Sequence, residues 1–172
     1  MNQALNNYLV LTGPESSGKT TTAEFLAKEL KISWIPEYSR EFLNTHGHSY
    51  TRADLDLMIC ESVEQRNHGK EKELILDTDE ITYYLWSSIK YQTVSSIIEE
   101  KCSDLQARLY LLCYPDLPWS PDPLRENPED RIEIFSEYES YLVGKGLNYF
   151  ILCGNQKVRQ ATALKIAKEY FR

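Results

Sequence analysis

An α/β fold, with a five-stranded parallel sheet covered by helices on both faces, is what the sequence predicts. Two observations carry it. Five short apolar runs recur along the chain, and helical stripes separate them. The runs are apolar throughout instead of alternating, which is the pattern of strands buried on both faces.

The elements follow in order. YLVLT at residues 8–12, bounded by Gly13, reads as a buried strand. Residues 18–31 place Ala23, Leu26, Ala27 and Leu30 on one helical face. Residues 32–36 read as a second strand and 37–45 as a helix. The next helix starts near Thr51, where Thr51 and Asp54 have capping-box spacing, and Gly69 stops it. ELILD at 73–77 is the third strand. Residues 79–101 read as one long helix with Tyr83, Leu85, Trp86, Ile89, Val94 and Ile97. RLYLLC at 108–113 is the fourth strand. Between residues 115 and 128 lie five of the seven prolines, so no helix interior fits there. Helical spacing resumes over 128–143, YFILC at 149–153 is the fifth strand, and Asn155 caps a last helix through Tyr170.

Length and charge bound the function. The chain has 172 residues, enough for one domain over residues 1–172 that needs no disulfide or metal to hold a core. The net charge of −7 argues against a non-specific nucleic-acid binder, which needs a basic face. It leaves open a local anion site. Cys60, Cys102, Cys113 and Cys153 form no CxxC pair and no zinc spacing; they read as small buried hydrophobes in a reducing compartment. The first residues have no basic region and too short an apolar stretch for a signal peptide or membrane span, so a cytoplasmic location is expected.

The chemistry is carried by Gly13-Pro14-Glu15-Ser16-Ser17-Gly18-Lys19-Thr20, the Walker A pattern G-x-x-x-x-G-K-[ST]. Glycines let the loop curl with its N–H groups inward, and the helix that follows adds its N-terminus to the anion site. Lys19 is expected at the β- and γ-phosphates of ATP, Thr20 at Mg²⁺, and Thr21 beside them at the helix start. A strand before and a helix after are the context this mechanism needs. The prediction is therefore a P-loop NTPase three-layer sandwich.

Carboxylates at strand ends face the ligand crevice of such a sheet. Asp77, closing the third strand, is expected to hold Mg²⁺ directly or through water. Asp79 either joins it toward substrate or caps the following helix. Glu37, after the second strand, is a candidate base for an acceptor hydroxyl. Arg40, one turn on, is a candidate for the acceptor or a phosphate, and Tyr38 lies between them. The prolyl segment, about residues 114–131, is the one loop too long for a plain connector and reads as a lid. On it, Arg125 and then Arg131 are candidates to close on phosphate charge. Trp119 either anchors the loop or stacks on an aromatic substrate. Thr45-His46-Gly47-His48 fits a nucleotidyltransferase pattern, but not after the first strand, and reads as a polar loop.

GPESSGKTT, EYSREF, LDTD, and PW followed by DPLRENPEDR resemble the ribosylnicotinamide kinase domain of NadR-type proteins, over nearly the whole chain from Tyr8. The resemblance implies phosphorylation of the 5′-hydroxyl of nicotinamide riboside by ATP with Mg²⁺, giving nicotinamide mononucleotide. Lys19, Glu37, Asp77 and Arg125 would be the catalytic set. Fuller relatives carry a DNA-binding segment and an adenylyltransferase domain ahead of this one, so the resemblance implies the kinase domain alone, without a repressor role. Where some members have an aromatic before the Glu-Tyr pair, this chain has Pro36, with Trp34 on the same face of an extended strand. Pro123 stands where many relatives have glycine. A kinase of another nucleoside or small alcohol, and an ATPase module without an acceptor, are the alternatives. Oligomeric state is left open.

Overall fold

The computed structural model describes residues 7–69 and 71–172, so the sequence reading of residues 1–6 lies outside it. The elements run β1 (Asn7–Thr12), α1 (Lys19–Leu30), β2 (Trp34–Ile35), α2 (Tyr38–His46), α3 (Arg52–His68) and β3 (Glu73–Asp77). There follow α4 (Glu80–Tyr91), α5 (Ser96–Lys101), β4 (Arg108–Cys113), α6 (Arg131–Gly144), β5 (Asn148–Leu152) and α7 (Gln156–Tyr170). The strands form one parallel sheet in the order β2-β3-β1-β4-β5. This is the three-layer α/β architecture that the apolar runs and the glycine-rich turn predict.

Strand alternation divides the core in two. Tyr8, Val10, Leu74, Leu76, Tyr110 and Leu112 face a layer built from α2, α3, α4, α5 and α6. Leu9, Leu11, Ile75, Leu109, Leu111 and Cys113 face α1 and α7. Both faces of β1, β3 and β4 are dry, which is why their sequences show no polar alternation. The strand order reverses at β1, with β3 on one side and β4 on the other. A crevice therefore opens at the carboxyl ends of these strands, where ligands bind in open α/β sheets.

Three expectations are corrected. The second strand is only Trp34–Ile35. The long helix expected over 79–101 is two: Gln92 takes the left-handed conformation and ends α4, and Ser95 accepts the Ile98 N–H and starts α5. The apolar stripe continues across the break, so periodicity does not reveal it. Cys102 and Cys113 are buried, but Cys60 is half-buried and Cys153 is exposed just past β5.

A buried ionic cluster fixes the start of α4. Arg66 donates to both Glu80 oxygens at 3.1 and 2.6 Å, and Arg108 reaches Glu80 and, at 2.6 Å, Asp79. Burial alone would raise the Glu80 carboxyl; the Arg108 and Arg66 guanidiniums hold it down to about 2. No helix among the described residues is long and apolar enough to cross a membrane.

Candidate active site

The turn between β1 and α1 is shaped by steric necessity. Gly13 has φ +127°, and a Cβ there would lie 2.8 Å from the Cys113 carbonyl oxygen at the end of β4. Gly18 has φ +81°, caps α1, and would place a Cβ 2.8 Å from Leu117 and 2.9 Å from Gln156. Ser16, at φ 54°, adds a left-handed residue, so successive N–H groups can converge on an anion. Ser17 Oγ donates to Pro14 O at 2.7 Å. Lys19 Nζ donates to the carbonyls of Gly13 and Pro14 at 2.9 and 2.8 Å, which holds the ammonium over the mouth of the loop.

Across the sheet edge, Thr20 Oγ1 donates to Asp77 Oδ2 at 2.6 Å. Asp77 Oδ1 is buried with no hydrogen-bond partner. Burial and the charge of Glu37 push this carboxyl up to about 6, against the pull of Thr20, Lys19 and Arg40. Next to it Thr78 is held at φ 71°, a strained setting for a β-branched residue, by its N–H bond to Leu11 O. Glu37 accepts from Ser39 Oγ at 2.7 Å, and its other oxygen lies 3.6 Å from Arg40. Arg40 also pairs with Asp122 on the prolyl segment at 3.0 Å.

The prolyl segment closes over this edge through named contacts. The Glu15 carboxylate accepts the N–H groups of Glu126 and Asn127, each at 3.0 Å. Ser16 Oγ accepts the Ser120 N–H at 2.9 Å. Arg131 donates to Leu117 O at 3.0 Å, Arg125 donates to Ser120 O, and their guanidiniums lie 5.7 and 5.9 Å from the Trp119 ring centroid.

A cavity of about 280 Å³ lies beneath, lined by Gly13 to Thr21, Glu37, Ser39, Arg40 and Arg125. It continues along one face of α4, past Thr82, Leu85, Trp86 and Ile89, to Tyr50 and His48. Tyr50 stacks on Trp86 with ring centroids 5.7 Å apart.

Six residues singled out in the sequence are not brought to this cleft. Asp79 caps α4 through the Ile81 N–H and is committed to Arg108 and Tyr110, so its capping role is the one realised. Tyr38 turns to Glu61, in a small recess behind the sheet edge; Asp77 also borders that recess and meets the cleft through Thr20. Trp119 packs against the two lid arginines, as an anchor. Of the Trp34 and Pro36 surface, Trp34 packs toward α1 and α7 and Pro36 lines the same recess as Tyr38. Arg131 ties the segment to the phosphate loop and does not line the cleft.

A family model described as an AAA domain matches residues 8–159. The chain belongs to that family. No curated protein matches the sequence. Among solved structures, a NadR protein in complex with NR superposes with a TM-score of 0.78 at 19% identity, over 96% of this chain and 52% of that one. This chain thus spans about half the length of that protein. A thymidylate kinase from Ehrlichia chaffeensis matches with a TM-score of 0.66 at 13% identity, over 95% and 98% of the two chains. A shikimate kinase from Acinetobacter baumannii in complex with shikimate matches at 0.51 and 16% identity, over 97% and 93%. The fold of this AAA domain is therefore the one shared by NadR and these P-loop kinases.

Within the domain, Arg159 is an organiser that the sequence reading passes over. It is fully buried and donates to Gly154 O at 2.9 Å, Leu152 O at 2.9 Å, Ser17 O at 3.3 Å and Tyr114 O at 2.7 Å, and it pairs with Asp116. One side chain on α7 thereby joins the phosphate loop, the ends of β4 and β5, and the root of the prolyl segment. Four of these acceptors are backbone carbonyls, which leave no trace in the residue types.

Thr20 and Asp77 fit Mg²⁺. The orphaned, buried Asp77 Oδ1 is an anionic oxygen without a donor, and the adjacent hydroxyl is the second oxygen ligand type this ion takes. Mg²⁺ takes most of its remaining ligands from phosphate and water. The raised Asp77 carboxyl has a consequence for stability. Its folded value of about 6 exceeds the ordinary 3.8, so ionising it costs the fold free energy that appears as pH rises from 4 to 7. In magnesium-free buffer, Asp77→Asn should gain about 2 kcal/mol on the parent over that interval. Urea denaturation at pH 4 and pH 7 measures it; parallel pH profiles for the two proteins would refute it. The same variant should need more Mg²⁺ for activity.

Proposed function

We propose that the protein is an ATP-dependent kinase of a nucleoside-like alcohol, with nicotinamide riboside as acceptor and nicotinamide mononucleotide as product. On this reading residues 1–172 act as one kinase domain, and the prolyl segment, about 114–131, is its lid. The observation that carries the proposal is the continuity of the cleft. It runs from the phosphate loop past Glu37 into a chamber walled by Leu85, Trp86, Ile89 and Tyr50. An ATPase without an acceptor has no use for that chamber.

The residues divide the work. The N–H groups of Gly13 to Lys19 and the Lys19 ammonium take the β- and γ-phosphates, with Thr21 at the same mouth. Thr20 and Asp77 would hold Mg²⁺, which when bound would offset phosphate charge. Arg125, on the lid and lining the cleft, faces charge that develops on the transferred group. Arg131 keeps the lid on the phosphate loop. Glu37 orients the acceptor hydroxyl and accepts its proton as that oxygen bonds to the γ-phosphorus and the bond to the ADP oxygen breaks. The stacked Tyr50–Trp86 pair walls the part of the chamber where the base would lie.

Charge favours an unphosphorylated acceptor. Arg40 is already engaged by Glu37 and Asp122, so an acceptor phosphate would meet Glu37 and Asp77 without an uncommitted Arg40 to offset them. A cationic ring suits aromatic faces and nearby carboxylates. The test is ADP release with nicotinamide riboside, uridine and a nucleoside monophosphate. The riboside should be the preferred acceptor. Equal or better activity on the monophosphate overturns the acceptor assignment, and ATP turnover indifferent to every acceptor overturns the kinase.

A further inference from the structure

At the mouth of the chamber three separate segments meet. Lys90, in the last turn of α4, has its ammonium 3.7 Å from the centroid of the Tyr50 ring. Tyr50 belongs to the turn between α2 and α3, held there by Tyr91 Oη, which donates to Tyr50 O at 2.6 Å. Lys90 also reaches both carboxylate oxygens of Glu126, on the prolyl segment, at 3.3 and 3.4 Å. The Tyr50 hydroxyl donates to the same carboxylate at 3.5 Å. The main chain of Glu126 is gripped from the other side: its N–H donates to the Glu15 carboxylate of the phosphate loop.

We propose that Lys90 and Glu126 form an electrostatic clasp that shuts the lid over the acceptor chamber and, through Glu126, joins that chamber to the phosphate loop. Glu126 is then a positioning residue that faces two ways. Its N–H reports on the phosphate loop, and its carboxylate reports on the acceptor wall. An acceptor in the chamber lies beside the clasp, because Lys90 and Glu126 line the same cavity and Lys90 covers the Tyr50 ring. The clasp serves the kinase reading above, since a lid closed over both substrates excludes water as a competing acceptor.

The geometry bounds the size of the effect. Lys90 and Glu126 are 36% and 46% exposed, so the pair is partly screened and acts as a bias on lid closure, not as a pillar of the fold. Loss of either charge should open the lid about two- to five-fold more often. The sensitive reporters are the N–H groups of Glu126 and Asn127, which the Glu15 carboxylate protects.

Hydrogen exchange of these two amides, with and without a non-hydrolysable ATP analogue, tests the clasp without reference to any acceptor. Lys90→Met and Glu126→Gln should each speed exchange two- to five-fold. The double reversal Lys90→Glu with Glu126→Lys should bring it back toward the parent rate. Raising the salt concentration should speed exchange more in the parent than in Lys90→Met, where the Arg40–Asp122 pair still ties the segment. In turnover assays with nicotinamide riboside the single variants should raise KM for the acceptor more than they lower kcat, with more ADP released per product formed. Unchanged amide exchange in both single variants overturns the clasp. A double reversal that exchanges as fast as the single variants overturns it equally, because a merely packing role would not be restored by swapping charges. Protected amides that respond as expected, in a protein whose ATP turnover is indifferent to every acceptor, would leave the clasp standing and remove the kinase reading.

Discussion

Lys19→Ala should lower kcat by about 10²–10³-fold, with far less change in stability, because in the proposed kinase the lost ammonium would act on charge that peaks during transfer. The side chain is already aimed. Its two hydrogen bonds to Gly13 O and Pro14 O hold it across the mouth of the phosphate loop, so its ammonium need move little to meet a phosphate. The truncation removes the charge but not the loop. Gly13 and Gly18 remain locked by the close approaches of Cys113, Leu117 and Gln156, and Arg159 still pins Ser17 O from behind. Lys19→Arg should not restore the rate, since a planar fork on a longer stem does not replace a compact ammonium at that depth. Calorimetry with an ATP analogue and Mg²⁺, beside a turnover assay, separates binding from catalysis. Unchanged turnover in Lys19→Ala would overturn the nucleotide site itself.

What could be read from the sequence was whatever is written locally. The spans of β3 and β4, the Thr51–Asp54 capping box and the Asn155 cap depend on neighbours in the chain, and the residue types declare them. The phosphate loop is legible for the same reason: its glycines answer to a φ that other residues avoid. The chamber is different. Tyr50, Trp86 and Ile89 come from two distant segments: Trp86 and Ile89 look like ordinary core residues on a helical stripe, and Tyr50 sits in a turn between two helices. His48 lies in the turn that the sequence marks as a polar loop, yet the fold carries it to the cleft. Arg159 reads as one more surface arginine, and only the convergence of β4, β5 and the phosphate loop buries it. The carboxylates show the limit most plainly. Asp77 and Asp79 sit two residues apart at one strand end, and strand geometry alone favours both for the crevice. The ionic cluster of Arg66, Glu80 and Arg108 takes Asp79 out of contention, and its arginines come from a helix and a strand far along the chain.

That division leaves Glu37 as the carboxylate to test for proton transfer, and Glu37→Gln should lower kcat by about 10²-fold or more while nucleotide affinity changes little. The isosteric amide keeps the volume and can still accept from Ser39, so the cleft should hold its shape. It loses the charge that pairs with Arg40 and the basicity that takes the acceptor proton. Glu37 is also one of the charges that raise the Asp77 carboxyl, so its neutralisation should let Asp77 ionise more readily and should ease the Mg²⁺ requirement. The two effects have opposite signs, and this makes the assignment sharp. A general base lost at Glu37 lowers kcat at saturating Mg²⁺ and acceptor, whereas a merely electrostatic role would show chiefly in the Mg²⁺ dependence. Measuring kcat, acceptor KM and the Mg²⁺ profile of Glu37→Gln beside Asp77→Asn distinguishes them. Should Glu37→Gln turn over like the parent at saturating Mg²⁺, the acceptor proton leaves by another route, and Glu37 is confined to aligning Arg40 with the lid residue Asp122.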